Sequence, residues 1–452
     1  MFRVRSGFAV ALVALLAMTA CSSDKKTTAT GGSSSSSSSA ALTASFRGIT
    51  ATTIKIGVVS VDFKCIEQFV DFNQGDAEKI AKALVDDVNK KGGIGGRQVE
   101  MVFKSLCPLQ PDTVSAACTS LTDDEQVFAV MGVYDTPPSD GSQQLCVAKD
   151  KDTVLIDELT TQKTMDGATP GLLLSPHINP ERRLDALLNL LKQKGSLAGK
   201  TVALLADQNN KDAATASVKK FTDGAGLKTG DTGVLTITND DTTQAQAQLD
   251  TFIEKWKQQH VDTLVMSGLL VSAKQFVEKI SAAIPGITLV ADDSGVGEQA
   301  SDEVKAGKTP NPYEGLLTLN GLNDDETFVL PGVQACVKAY QDATGETVIA
   351  PKDLKPGADG KTAKVFEGLE DRCNELAILK QLLEKAGPNP TNDSFIAAAN
   401  SIGKIQLATS QISSLGQGKY DADDGFRLAS WDSTIGASGD FKPQGDVADV
   451  SK

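Results

Sequence analysis

Short apolar runs alternate with amphipathic stretches of helical period along most of this chain. Residues 54–60 (IKIGVVS) form a near-continuous apolar run, as expected of a strand buried on both faces. From 76 to 89 the period changes, and Ala77, Ile80, Leu84 and Val88 fall on one face of a helix. A glycine cluster breaks that helix. Residues 98–104 (QVEMVFK) then predict a second strand, a helix begins at Asp112, and 127–133 (VFAVMGV) and 153–157 (TVLID) predict strands three and four. This alternation predicts a parallel sheet with helices on both faces.

The pattern restarts with Leu184, Leu187, Leu188 and Leu191 on one helical face, followed by a strand at 201–207 (TVALLAD). A helix carrying Leu249, Phe252, Ile253 and Trp256 follows, with strands at 263–267 (TLVMS) and 287–291 (ITLVA). Beyond Gly321 the chain turns helical again, at 327–343 and 371–386, and it ends in a strand at 426–431. The fold class is therefore α/β: two Rossmann-like units with doubly wound parallel sheets. The late helices are expected to return to the first unit; a third small domain is the alternative.

The first twenty-one residues do not belong to this pattern. Arg3 and Arg5 precede an apolar run, 8–17, which is too short for a membrane-spanning helix, and Met18-Thr19-Ala20 leads to Cys21. This arrangement predicts a secretory signal at 1–20. The placement of the cysteine resembles the lipobox of bacterial lipoproteins, which implies lipidation of Cys21; Met18 stands where that family prefers Leu. The alternative is a plain secretory signal beside an unmodified cysteine. An unbroken serine run, 33–39, with Gly31 and Gly32 beside it, cannot bury enough apolar surface to fold. Residues 21–51 are thus expected to be a flexible tether, with the chain extracytoplasmic and lipid-anchored to the outer face of the cell membrane.

Composition narrows the partners. The formal net charge is −14, and loss of Arg3 and Arg5 with residues 1–20 makes it −16. Nucleic acid is not an expected partner, because phosphate binding needs clustered Lys and Arg. There are two histidines and no CxxC, so no metal site is predicted. Adjacent carboxylates at Asp292-Asp293 would point opposite ways at a strand end. Motifs for nucleophilic, metallo-hydrolytic or phosphate chemistry (GxSxG, HExxH, P-loop) are missing, so neither an enzyme nor a cofactor is expected.

Apart from Cys21, six cysteines remain, an even number that suggests three disulfides in an exported chain. In a doubly wound sheet ordered 2-1-3-4-5, Cys65 after strand one and Cys107 at the end of strand two lie at the same carboxyl edge. Cys118 and Cys146 lie on helices that share a face. This topology predicts Cys65–Cys107 and Cys118–Cys146, one of the three pairings that four cysteines allow, and Cys336–Cys373 in the late helical region. Each bridge would stabilise by roughly 3–4 kcal/mol on the entropic model.

The sharpest motif of the body is Asn89-Lys90-Lys91-Gly92-Gly93-Ile94-Gly95-Gly96-Arg97. It ends a helix, turns through residues free to take positive φ, and enters a strand. A phosphate cradle would need the reverse order. Helix, Asn, two spacers, GGIxGR and strand together resemble the type I periplasmic binding proteins of the leucine/isoleucine/valine-binding family. These are solute receptors of ABC importers.

The resemblance covers most of the body and implies two lobes joined by a multi-strand hinge: 52–175 plus 322–410, and 176–321 plus 411–445. It implies a small polar solute, an amino acid (branched-chain by default) or a related compound, captured between closing lobes. It also implies an ABC permease as membrane partner. A monomer is expected. A sensor subunit on the same fold is the alternative; an extracytoplasmic enzyme is less supported.

Ligands of open α/β sheets sit beyond the carboxyl ends of strands, which gives the same location from physics. Candidates after strand three are Tyr134, Asp135, Thr136 and Ser139, where the family holds a ligand carboxylate with hydroxyls. After strand four come Asp157 and Thr160, in the loop where relatives bind the ligand ammonium. In the second unit Asn209, Asp292 and Asp293 end strands, and an acidic side chain there resembles the family's ammonium partner. Helix capping and solvated turns are the competing roles for all of these. Two loops depart from the family: Val61-Asp62-Phe63-Lys64-Cys65 replaces a Gly-rich segment, and Asn209-Asn210-Lys211 replaces Tyr-Gly.

Overall fold

The computed structural model describes residues 41–67, 72–133, 140–208, 210–236, 242–268, 271–292, 295–357 and 361–451. Strand β1 (Thr53–Val61) carries Ile54, Ile56, Val58 and Val59 in the core and leads, after Asp76 caps it, to helix α1 (Ala77–Lys90). β2 (Gln98–Leu106), α2 (Pro111–Thr119), β3 (Ala129–Gly132), β4 (Val154–Ile156) and β5 (Leu173–Leu174) follow. The strands are all parallel, in the order β2-β1-β3-β4-β5.

The glycine motif makes the turn from α1 to β2. A Cβ on Gly93 (φ +74°) would lie 1.8 Å from the Arg97 carbonyl oxygen, so only glycine fits. Asn89 grips the incoming strand: its Nδ2 donates to Val99 O (2.9 Å) and its Oδ1 accepts from Val99 N (2.7 Å). Arg97 is buried and donates to the carbonyls of Thr50, Pro388 and Thr43, fastening the start of the body to its late return.

That fastening corrects the expected tether. Residues 41–51 are packed on the lobe: Ile49 is 2 % exposed, Phe46 meets Phe128 edge-on, and Asn389 Nδ2 donates to Ala41 O. The apolar Phe46 and Ile49 supply what the serine run lacks, a side chain to bury.

The second unit runs through α3 (Pro180–Lys194), β6 (Thr201–Asp207), α4 (Lys211–Ala225), α5 (Thr243–Gln258), β7 (Thr263–Ser267), α6 (Lys274–Ala283), β8 (Thr288–Ala291), α7 (Val296–Lys305) and β9 (Leu317–Asn320). β6, β7, β8 and β9 are parallel neighbours in that order. Leu187, Leu191, Val218 and Phe221 cover one face of this sheet, and Leu249, Ile253, Trp256 and Phe276 the other.

The chain then returns to the first lobe with α8 (Pro331–Thr344), α9 (Val365–Ala386) and α10 (Asn392–Ser401). Val337, Leu369, Leu379, Leu382 and Phe395 join the core built by β1 to β5. The helix expected at 327–343 is two helices, Asp324–Phe328 and α8, because Leu330 precedes a proline and is extended. β10 (Gly425–Asp432) and β11 (Asp440–Pro443) finish the second sheet antiparallel to β9. The boundary expected at 411 moves: Leu415, Tyr420 and Ala422 pack in the first lobe, and the second lobe resumes near 424 and continues to Val450, whose N–H donates to Asp424 O. Ala448–Asp449 pairs with the start of β10, which is why 445 is not the end of the lobe.

The lobes are thus joined by three crossovers, near 175–179, 320–323 and 422–425. The first and third run side by side, Ser175 N donating to Tyr420 O and Ala422 N to Ser175 O. Disulfides link Cys65–Cys107, Cys118–Cys146 and Cys336–Cys373, with Cα separations of 5.7, 6.4 and 6.4 Å. No helix among the described residues is long and apolar enough to cross a membrane.

Candidate ligand-binding site

The first crossover leaves the carboxyl end of β5 and enters α3, whose first turn (Pro180, Glu181, Leu184) lines a recess with Asn210, Ser267 and Asp292. Those three residues follow or end β6, β7 and β8. The crossovers therefore connect the carboxyl edges of the two sheets, where an open α/β sheet binds ligands.

On the first lobe's edge, Tyr134, Asp135, Thr136 and Ser139 lie outside the described residues. Asp157 is fully buried and serves its own loop: Oδ2 accepts from Gln144 Nε2 (3.0 Å) and Oδ1 from Leu159 N (2.9 Å). Thr160, in the same loop, is 7 % exposed and its Oγ1 has no hydrogen-bond partner. An unpaired buried hydroxyl costs free energy.

On the second lobe's edge, Asn209 and Asp293 lie outside the described residues. Asp292 accepts from Ser267 Oγ (2.6 Å) and Gly268 N (3.1 Å), which ties the ends of β7 and β8. Asp207 Oδ1 accepts from Asn210 N at 3.0 Å and Oδ2 from Asn210 Nδ2 at 3.2 Å. Gly268 (φ +106°) permits this close approach, since a Cβ there would lie 2.1 Å from Asp207 Oδ2. The structure thus gathers Asp157 and Thr160 on one lobe and Asp292 on the other.

Beside Asp157 lies an ionic cluster that no sequence motif marks. Arg372 of α9 is 5 % exposed and is wedged between Glu158, the residue after Asp157, and Glu375, one helical turn on. Gly132, at the end of β3, makes room for it: a Cβ there would lie 2.8 Å from Arg372 Nη1 and 2.0 Å from Val59 O. Burial, then the Asp371 charge, pushes the Glu158 carboxyl up to about 7 against the pull of Arg372 and His177. Burial likewise pushes Glu375 well above the usual carboxylate range.

His177, on the first crossover, places Nε2 3.3 Å from Asp371 Oδ1. Enclosure works against its charge, but the hydrogen bond to Asp371 and the charges of Asp371, Glu158 and Asp423 outweigh it and push the imidazole up to about 9. The signal in the sequence was the run of acids at 367, 370, 371 and 375, spaced to share one side of a helix. Among the described residues no group of three or more His, Cys, Asp or Glu is placed to hold a metal ion.

Solved structures with this fold include solute-binding proteins of ABC transporters. The fold matches a solute binding protein of an ABC transporter from Rhodopseudomonas palustris in complex with 3,4-dihydroxy benzoic acid. The TM-score is 0.57 and the identity 15 %, over 88 % of this chain and 98 % of that one. An ABC transporter substrate-binding protein from Desulfitobacterium hafniense in complex with Leu matches with a TM-score of 0.54 and 14 % identity, covering 86 % and 100 % of the two chains. The leucine-, isoleucine-, valine-, threonine- and alanine-binding protein of Brucella ovis, in a closed conformation, gives 0.57 and 12 %, covering 88 % and 95 %. At these identities the likeness is one of fold. No curated protein matches the chain significantly. The family model described as periplasmic binding protein matches residues 70–434, four-fifths of the chain, and the chain therefore belongs to the periplasmic binding protein family.

Proposed function

We propose that this chain is the solute receptor of an ABC importer, capturing a small polar solute between its lobes and presenting the closed form to a membrane permease. The observation that carries this reading is the opposition of two carboxyl sheet edges across three crossovers. A ligand touching both edges shifts the population toward closure. Thr160 on the first lobe, with the loop at 134–139, and the Asn210–Ser267–Asp292 recess on the second are the contact candidates. The structural relatives bind hydroxybenzoates and amino acids, which supports a solute of that size.

The address follows from the start of the chain. Residues 1–20 act as a secretory signal, Cys21 takes the lipid, and the tether ends near residue 40, where packing begins. Such a leash keeps a mobile receptor close to its permease without fixing its orientation. Stable anchoring needs more than one acyl chain, which a di- or triacylated cysteine supplies.

A thermal-shift panel on the full chain, with amino acids, amides, amines and hydroxybenzoates, tests the receptor reading. A true ligand at a hundred times its dissociation constant should add about 2.7 kcal/mol. A panel in which no solute raises the melting temperature would overturn it. The Cys21→Ser chain should leave the membrane fraction; its retention there would remove the lipid anchor from the account.

A further inference from the structure

The back wall of the cleft carries far more negative than positive charge. Its first-lobe side is the start of α9, with Glu367, Glu370 and Asp371 in the first two turns. Asp324 follows the second crossover and Asp423 sits on the third. Glu370 feels Asp371, Asp324 and Glu367 as neighbouring like charges, with His177 opposing them. The field extends to the second lobe: Lys364 is influenced by Glu298 on α7, and Asp324 by Asp440 at the start of β11. Each of these residues is at least partly open to solvent. Asp324 is exposed, Glu367, Glu370 and Asp423 are half-buried, and the His177 side chain is 44 % open although surrounded by protein, as a group inside a cleft is.

Counter-charge within the protein is insufficient. Lys364 pairs with Glu367 at 2.9 Å and His177 with Asp371 at 3.3 Å. Glu370, Asp324 and Asp423 form no ion pair among the described residues. The segments outside the described residues between 41 and 451 contain no Lys or Arg that would supply one. A second observation points the same way. Glu370 Oε2 is closed to solvent and accepts no hydrogen bond. A carboxylate oxygen in that position calls for a donor.

We infer that the cleft selects a solute of net positive charge, an amine or guanidine, whose cationic group is held by Glu370 and Asp371 and steered in by Asp324 and Asp423. This rests on the receptor reading above and names the ligand class of that same site. An organic cation fits better than a metal, since among the described residues these carboxylates are not clustered in metal-holding geometry. A field of one sign inside low-dielectric walls also concentrates cations before contact. A benzoate or another anion would meet an excess of like charge along this back wall. Burial and then the neighbouring carboxylates keep Glu370 protonated above the ordinary carboxylate range, so cation binding should release a proton and tighten as pH rises.

Titration calorimetry of the full chain tests this with spermidine, L-arginine, L-leucine and 4-hydroxybenzoate as probes. One of the two cationic probes should bind, more weakly with added salt, and Glu370→Gln should weaken it by about tenfold or more. Asp324→Asn, at an exposed position, serves as the second variant if Glu370→Gln does not fold, and should weaken binding and its salt dependence. Binding of leucine or 4-hydroxybenzoate with neither cation bound would overturn the inference and leave the receptor reading standing. Unchanged cation affinity in a folded Glu370→Gln chain would also overturn it. If none of the four binds, the inference fails, and the wider thermal panel decides the receptor reading.

Discussion

At the carboxyl edge of the first lobe, Arg372 is buried between Glu158 and Glu375, and all three disulfides lie in that lobe. At the matching edge of the second lobe, Asp207 and Asp292 each hold a neighbouring turn, and the chain from 176 to 321 contains no cysteine. Both sheets have a parallel core, to which the second adds antiparallel β10 and β11, yet their edges are assembled from different distances along the chain. The Asp207 and Asp292 side chains bond within a turn or between adjacent strands, and the longest bond at that edge, from Arg183 of α3 to Leu319 O, spans 136 residues. Glu158 and Arg372 are 214 residues apart, so the first lobe's edge is complete only when the late helices return. The disulfides of this lobe span 42, 28 and 37 residues, so they constrain the early part and the late helices separately, and the return itself is held by packing and by the Arg372 cluster.

The strongest way to break this contrast is Arg372→Met. Two carboxyls would remain buried without their cation, and the loss should reach about 3–5 kcal/mol, read from the urea midpoint. A loss below about 1 kcal/mol would mean that both carboxyls are neutral and that the arrangement is not ionic. Replacing Cys118 and Cys146 together by Ser comes next. Their bridge spans 28 residues, and its removal should cost about 3–4 kcal/mol on the entropic model. Because the second lobe has no bridge to lose, calorimetry should then resolve an earlier transition for the first lobe. One unshifted transition would show that the bridge does not set its stability.

The smallest effect sharpens the contrast through pH. His177 titrates near 9 in the folded chain against 6.5 for a free imidazole. The folded state therefore binds the extra proton between those values, and the stabilisation is full below 6.5 and lost as pH rises through 9. Glu158, raised to about 7 from 4.5, has the same sign: its contribution is present below 4.5 and lost by about pH 7. The first lobe should weaken steadily from acid to alkaline pH. His177→Gln should flatten the alkaline half of that decline in urea unfolding; an unchanged slope would remove His177 as its source. The exposed part of the ring is screened by solvent, which keeps this effect the smallest of the three.

Much of the scaffold was legible in the sequence because its signals are local. The two α/β units, the glycine turn after Asn89 and the late helical return each follow from period and composition over a few tens of residues. The 2-1-3-4-5 order places Cys65 beside Cys107 because strands one and two are neighbours. The helix break at Leu330-Pro331 was equally local, and a strict reading of the proline would have found it. The site was less legible. Asp157 and Asp292 read as strand-end acids, and the structure gives each a hydrogen-bonding task in its own lobe. Glu158, one residue away, turns inward to a partner that no spacing rule reaches.

By itself the sequence determined which segments are strands and helices and how they alternate. Those outcomes depend on side-chain polarity at short separations. Only the tertiary structure decided that residues 41–51 are fastened by Arg97, that Arg372 lies under the end of β3, and that His177 meets Asp371 from 194 residues away. Charge state was decided there too. The same carboxyl is acidic in water and nearly neutral when burial and like-charged neighbours surround it, and those neighbours are assembled by the fold.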